Sequence, residues 1–203
     1  MALQPTGNAA AAITAERAEQ EEGRALGFWL YLMSDAVIFA LLFGTYAVMV
    51  VRTAGGPDGH ALFHLRHTAI ETLLLLVSSL TFGLATIAVA AGRKASVLAW
   101  LSVTFALGAG FVAMEIAEFQ AAVAAGAGPE RSGFLSAYFT LVGTHGLHVS
   151  MGLAWIAILW VQVLLRGVTP LAASRLYRLG LFWHFLDIVW IGIFSVVYLP
   201  GIR

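Results

Sequence analysis

Five runs of apolar residues, each long enough to cross a lipid bilayer, decide most of what this chain can become. A spanning helix needs about 20 mostly apolar residues, and segments 27–51, 68–91, 96–124, 134–165 and 179–199 each meet that length. In hydrocarbon every backbone N–H and C=O must be satisfied within the protein, which leaves helices or closed barrels. Runs this long and continuous are helical, so the expected fold class is all-α: a polytopic membrane protein with a bundle of five transmembrane helices. The breaks carry turn signals: RTAGGPDGH (52–60), GRK (92–94), GAGPERSG (126–133) and the basic stretch RGVTPLAASRLYR (166–178). Residues 1–25 are Ala-rich and then charged, and read as a flexible cytoplasmic tail; 26–203 form the transmembrane domain.

Composition narrows the chemistry. Charged residues make up only 11%, and the eleven basic and eleven acidic side chains cancel, so the chain has no nucleic-acid footprint. Cysteine is absent, which removes disulfides, thiolate zinc sites, iron–sulfur clusters and cysteine nucleophiles together. There is no Walker loop, no GxGxxG entering a helix and no G-x-S-x-G elbow. Basic residues favour the side of the N-terminus, with Arg17, Arg24, Arg93, Lys94, Arg166, Arg175 and Arg178 against Arg52, Arg66, Arg131 and Arg203. The N-terminus is therefore expected in the cytoplasm and the C-terminus outside.

The spans nevertheless contain ionisable residues, each costing about 2.5–3.5 kcal/mol on insertion scales. They are Asp35 in LMSDAVIF, Glu115 and Glu118 in GFVAMEIAEF, His145 and His148 in GTHGLHVSMG, and His184 and Asp187 in WHFLDIVW. Such groups should face other helices or a hydrated cavity. By depth, Asp35, His148, His184 and Asp187 share one inner layer, with His184 and Asp187 satisfying each other or the other two. Glu115 and Glu118 lie nearer the outer face, with Arg131 and Arg66 as candidate partners; Glu71 suits a helix N-terminus. The fourth segment, 32 residues or about 48 Å long, carries a small-residue stripe at Gly146, Ser150 and Ala154 suited to close helix contact.

Three chemical readings fit this set: interhelical hydrogen bonding, a metal or haem site, and a proton-linked or lipid-contacting role led by Asp35. H-x-x-H with E-x-x-E resembles half of a di-iron bundle, but that class needs E-x-x-H on each of two helices. Two histidines on separate helices are able in principle to sandwich a haem. His60, His64 and His67 read as solvated loop residues rather than ligands. Trp29, Tyr31, Trp155, Trp160, Trp183, Trp190 and Tyr198 read as interface anchors or packing residues.

GTHGLHVSMG and FWHFLDIVWIGIFSVVYL resemble the signature helices of subunit III of the haem–copper respiratory oxidases. GFWLYLMSDAVIF, AGFVAMEIAEF and GPERSGFLSAYFTLVGTHGLHV extend the likeness over residues 26–200. Five spans, the GFWLYLMSD opening and the AGGP loop are closest to the cytochrome o ubiquinol oxidase branch; cytochrome c oxidase forms usually carry two more N-terminal helices. The resemblance implies a non-catalytic subunit of a proton-pumping complex in a bacterial inner membrane, beside subunits I, II and IV. It implies that haems and copper reside in subunit I, that no catalytic, cofactor or metal ligand lies in this chain, and that phospholipid binds. Asp35 matches an acidic position after serine, commonly glutamate, and the resemblance implies association with subunit I near the entry of a proton-uptake pathway. A small proton-coupled transporter is the alternative, and it predicts inverted repeats or broken helices.

Overall fold

The computed structural model describes residues 7–57, 59 and 65–201, with side chains described from residue 22. Among the described residues there is no strand, and five helices are long and apolar enough to cross a membrane. They are α1 (Gly7–Met49), α2 (Leu65–Ala90), α3 (Lys94–Ala124), α4 (Gly133–Arg166) and α5 (Pro170–Ile193). Helix α5 runs on through a π turn at Phe194–Tyr198. The fold class expected from the apolar runs is thus observed.

Two compact units divide the chain, residues 1–38 and 39–203. The first is the N-terminal part of α1. The segment read as a flexible tail is helical from Gly7, and the first spanning stretch begins at Glu22. Residues 1–6 lie outside the described residues, as do His60 and His64.

In the second unit α2 packs on α3, α3 on α4, α4 on α5, and α5 back on α2. The last turns of α1 join them: Phe39 stacks near His148 (ring centroids 5.3 Å) and Phe185 (6.3 Å), and Tyr46 near Phe134 (6.1 Å). Trp183 is the central wedge. It is 1% exposed, and its ring fills the space left by two glycines, lying 2.8 Å from where a Cβ on Gly152 would stand and 3.0 Å from one on Gly108. Glycine is needed at these points because the indole occupies the methyl's volume. Gly152, rather than the Gly146 stripe alone, therefore sets how closely α4 approaches α5.

The helix ends follow local chemistry. Ser132 caps α4, its hydroxyl accepting the Leu135 N–H at 3.2 Å, and Gly167 ends the helix at φ 74°. Lys94, the first residue of α3, donates through Nζ to the Leu164 carbonyl at 2.9 Å, where a cation meets the negative end of the α4 dipole. The start of α5 differs from expectation. Residues 170–178, read as loop because they contain Pro170 and two basic residues, are helical. Thr169 Oγ1 accepts the Ala172 N–H at 3.2 Å and Pro170 sits in the first turn. Proline lacks an N–H that the first turn would leave unbonded anyway, so it begins a helix here instead of ending one.

Candidate functional site: the polar interior

A face of α2 hydroxyls receives the polar edges of α5. Ser78 Oγ accepts the Trp183 indole N–H at 3.1 Å, and Thr72 Oγ1 accepts that of Trp190 at 3.1 Å. Ser79 Oγ hydrogen-bonds His184 Nδ1. Thr81 adds a hydroxyl pair with Thr104 of α3 at 2.8 Å. Bonds of this kind contribute about 0.6 kcal/mol each in membranes, and their larger effect is to fix rotation and register.

Within the second unit the ionisable residues take different kinds of partner. His184 lies on the exposed side of α5 and bonds Ser79, not Asp187. Asp187, 7% exposed, also faces Ser79, and its oxygens otherwise lack a hydrogen-bond partner among the described residues. His148 donates from Nδ1 to the Thr144 carbonyl of its own helix at 2.7 Å. Asp35 belongs to the first unit, where Tyr31, one turn earlier on α1, hydrogen-bonds it.

His145 is fully buried. Its Nε2–H donates to the Leu186 carbonyl at 3.2 Å, and its ring is walled by Phe111 (5.7 Å) and Trp190 (5.2 Å). Glu115, 4% exposed, presses its carboxyl group against the α4 backbone at Gly146. A Cβ there would lie 2.5 Å from both carboxyl oxygens. Gly146 is thus not a generic small residue: it makes room for a carboxyl group.

The glutamate partners differ from the arginines read from depth. Among the described residues no ion pair joins Glu115 or Glu118 to Arg66 or Arg131. Glu118 Oε1 instead accepts the Tyr138 hydroxyl at 2.9 Å, with the Tyr198 hydroxyl at 3.5 Å; the two tyrosine hydroxyls are 3.2 Å apart. Tyr198 reaches this point from the π turn, where one extra residue per turn rotates the chain. His67 and Glu71, four residues apart on α2, also stand near Glu118. His67 Nε2 lies 3.4 Å from Glu71 Oε1, and one ligand atom from each of His67, Glu71 and Glu118 falls within 4.8 Å of the others. The sequence reading missed this grouping because it placed His67 in a solvated loop. An H-x-x-x-E spacing on a helix was the available signal.

A multi-pass helical membrane protein whose interior polar residues are tied mainly to hydroxyls, backbone and aromatic rings is the class this architecture defines. Residues 9–202 match the family described as Cytochrome c oxidase subunit III. The chain is 59% identical over 177 residues to a cytochrome bo(3) ubiquinol oxidase subunit 3 of Pseudomonas putida, covering 87% of this chain and 86% of that one. It is 57% identical over 175 residues to the subunit of the same name in Pseudomonas aeruginosa, covering 86% and 84%. A quinol oxidase subunit 3 of Bacillus subtilis is 45% identical over 186 residues, 91% of each chain. This chain belongs to the subunit III family of the haem–copper respiratory oxidases, and its likeness is to the cytochrome o ubiquinol oxidase type.

Proposed function

We propose that this chain is the accessory, non-redox subunit III of a proton-pumping cytochrome o ubiquinol oxidase in a bacterial inner membrane, with its N-terminus cytoplasmic and its C-terminus periplasmic. The complex would pass electrons from ubiquinol to oxygen. Subunit I would hold the haems and copper, with subunits II and IV as further partners. Here the chain contributes assembly, stability and lipid binding, and supports proton uptake through the carboxyl group of Asp35. The carrying observation is the 59% identity over 86% of the length of a ubiquinol oxidase subunit 3.

Two features of the interior support an accessory role. The His145 ring is enclosed by aromatic side chains and its Nε2 is engaged by a backbone carbonyl; His148 spends Nδ1 on its own helix. A groove of about 250 Å³ between α3 and α4, lined by Leu101, Phe105, Ile156 and Trp160, suits a lipid acyl chain.

Affinity purification of the tagged full chain from membranes in mild detergent, with visible spectroscopy and subunit mass analysis, tests the reading. Co-purification with a haem-bearing partner in fixed ratio is expected. Recovery of the chain alone, active as a proton-coupled carrier in vesicles, would overturn it. For Asp35, the Asp35→Asn complex is expected to assemble normally and to pump fewer protons per electron; an unchanged ratio confines Asp35 to the scaffold.

A further inference from the structure

We propose that the seam between α3 and α4 seats one anionic phospholipid, with an acyl chain in the groove at Leu101, Phe105 and Ile156 and the phosphate at Lys94, Arg93 and Arg166. The inference rests on the lipid-binding part of the proposed function and deepens it, naming the charge of the headgroup and the residues that read it.

The groove suits hydrocarbon. It holds about 250 Å³, and only Ser102 and Trp160 among its lining residues carry a side-chain polar group. Both are engaged within the protein. Ser102 Oγ donates to the Leu98 carbonyl at 2.9 Å and accepts the Trp160 indole N–H at 3.0 Å. An ordered water needs two to four polar partners, and the lining offers none that is free. An acyl chain needs none.

Helix register carries the same seam to a cation. On α3, Leu98 lies one turn before Ser102, and Lys94 one turn before Leu98; on α4, Leu164 lies one turn beyond Trp160. The two strips meet there, because Lys94 Nζ donates to the Leu164 carbonyl at 2.9 Å. An ammonium has three donors, so two remain for a ligand. Arg93 precedes Lys94, and Arg166 follows Leu164 by two residues. All three cations are exposed, and no carboxylate pairs with any of them among the described residues. Phe105 lies roughly 16 Å farther along α3, at 1.5 Å per residue. The order along the seam is cation, indole, apolar trough, which matches phosphate, ester region and acyl chain in a phospholipid. Indoles favour the headgroup level, and lysine and arginine reach outward past it.

Charge selects the occupant. A spanning segment of a partner subunit brings its own excess of lysine and arginine to the cytoplasmic side, where the proposed topology puts Arg93, Lys94 and Arg166. An anionic headgroup meets the same three charges with the opposite sign. Basic pockets between transmembrane helices bind such headgroups, each Lys or Arg near the surface contributing about fivefold in affinity.

The test uses the purified complex in phosphatidylcholine nanodiscs. These are doped with a phosphatidylglycerol bearing a photoactivatable group on one acyl chain, or with the phosphatidylcholine of the same acyl chain. Peptide mass analysis after irradiation locates the adducts. Adducts at Leu101, Phe105, Ile156 or Val161 are expected from the phosphatidylglycerol probe in at least about fivefold excess over the other. Lys94→Ala should lower that yield about fivefold, and Lys94→Arg should keep most of it. Arg166→Gln, at an exposed position, keeps the test decisive if Lys94→Ala, which also loses the bond to Leu164, does not assemble. Equal yields from the two probes, or adducts elsewhere on the chain with none in the groove, would overturn the proposal. The oxidase reading fails separately: phosphatidylglycerol selectivity in a chain recovered without a haem-bearing partner would sink that reading and leave this one standing.

Discussion

The Tyr138 hydroxyl donates to Glu118 Oε1 at 2.9 Å, joining the first turns of α4 to the end of α3. Both tyrosines at this point, Tyr138 and Tyr198, are nearly inaccessible, at 2% and 1% exposure. The π turn at Phe194–Tyr198 is what delivers the second one. Removing either hydroxyl therefore tests whether the arrangement is structural.

Tyr138→Phe should destabilise the protein by about 1–3 kcal/mol, the range for stripping a partner from a buried polar group. Tyr198→Phe should cost less, about 1 kcal/mol, because its hydroxyl lies 3.5 Å from Glu118. Denaturation in detergent, followed by helical circular dichroism, ranks the two. The reverse order would show that Tyr198 is the principal donor.

Glycines should divide by what surrounds them. Gly152→Ala places a methyl 2.8 Å from the Trp183 ring, and overpacking of this kind costs about 1–3 kcal/mol. Gly83 has nothing within 4 Å of its Cβ position. There Gly83→Ala should be neutral or stabilising by up to about 1 kcal/mol through helix propensity. Thermal midpoints in one detergent compare them, and equal effects would contradict the wedge role of Trp183.

Helix caps predict smaller, local losses. Thr169→Ala removes the hydroxyl that accepts the Ala172 N–H and should cost about 1 kcal/mol. Ser132→Ala should do the same at the start of α4. Hydrogen exchange confined to the first turns of α5 or α4 is the readout. Global acceleration would mean the caps do more than terminate helices.

The Ser79–His184 pair lies on an exposed face, so its loss should be felt by neighbours of the chain more than by the chain. His184→Ala, which leaves Ser79 facing Asp187, is expected to change the stability of the isolated chain by no more than about 0.5 kcal/mol. A reduced yield of intact oxidase from the same variant would assign this face to a partner subunit, whereas an equal drop in both measurements would place the pair among the structural bonds.

Sequence alone determined the number of spans and the family, and it flagged the costly side chains. A transmembrane helix satisfies its backbone locally, so twenty apolar residues announce it without reference to any other part of the chain. Pro170 misled that reading because proline breaks helices in their interior yet opens them at the first turn. What only the tertiary structure decided was which polar groups meet. His67 reaches Glu71 and Glu118, Glu118 takes tyrosines instead of arginines, and His184 takes Ser79 instead of Asp187. Those pairings depend on the rotation and register of one helix against another. Here these are set by the Trp183 wedge in the glycines of α3 and α4 and by one π turn, neither of which leaves a periodic mark in the sequence.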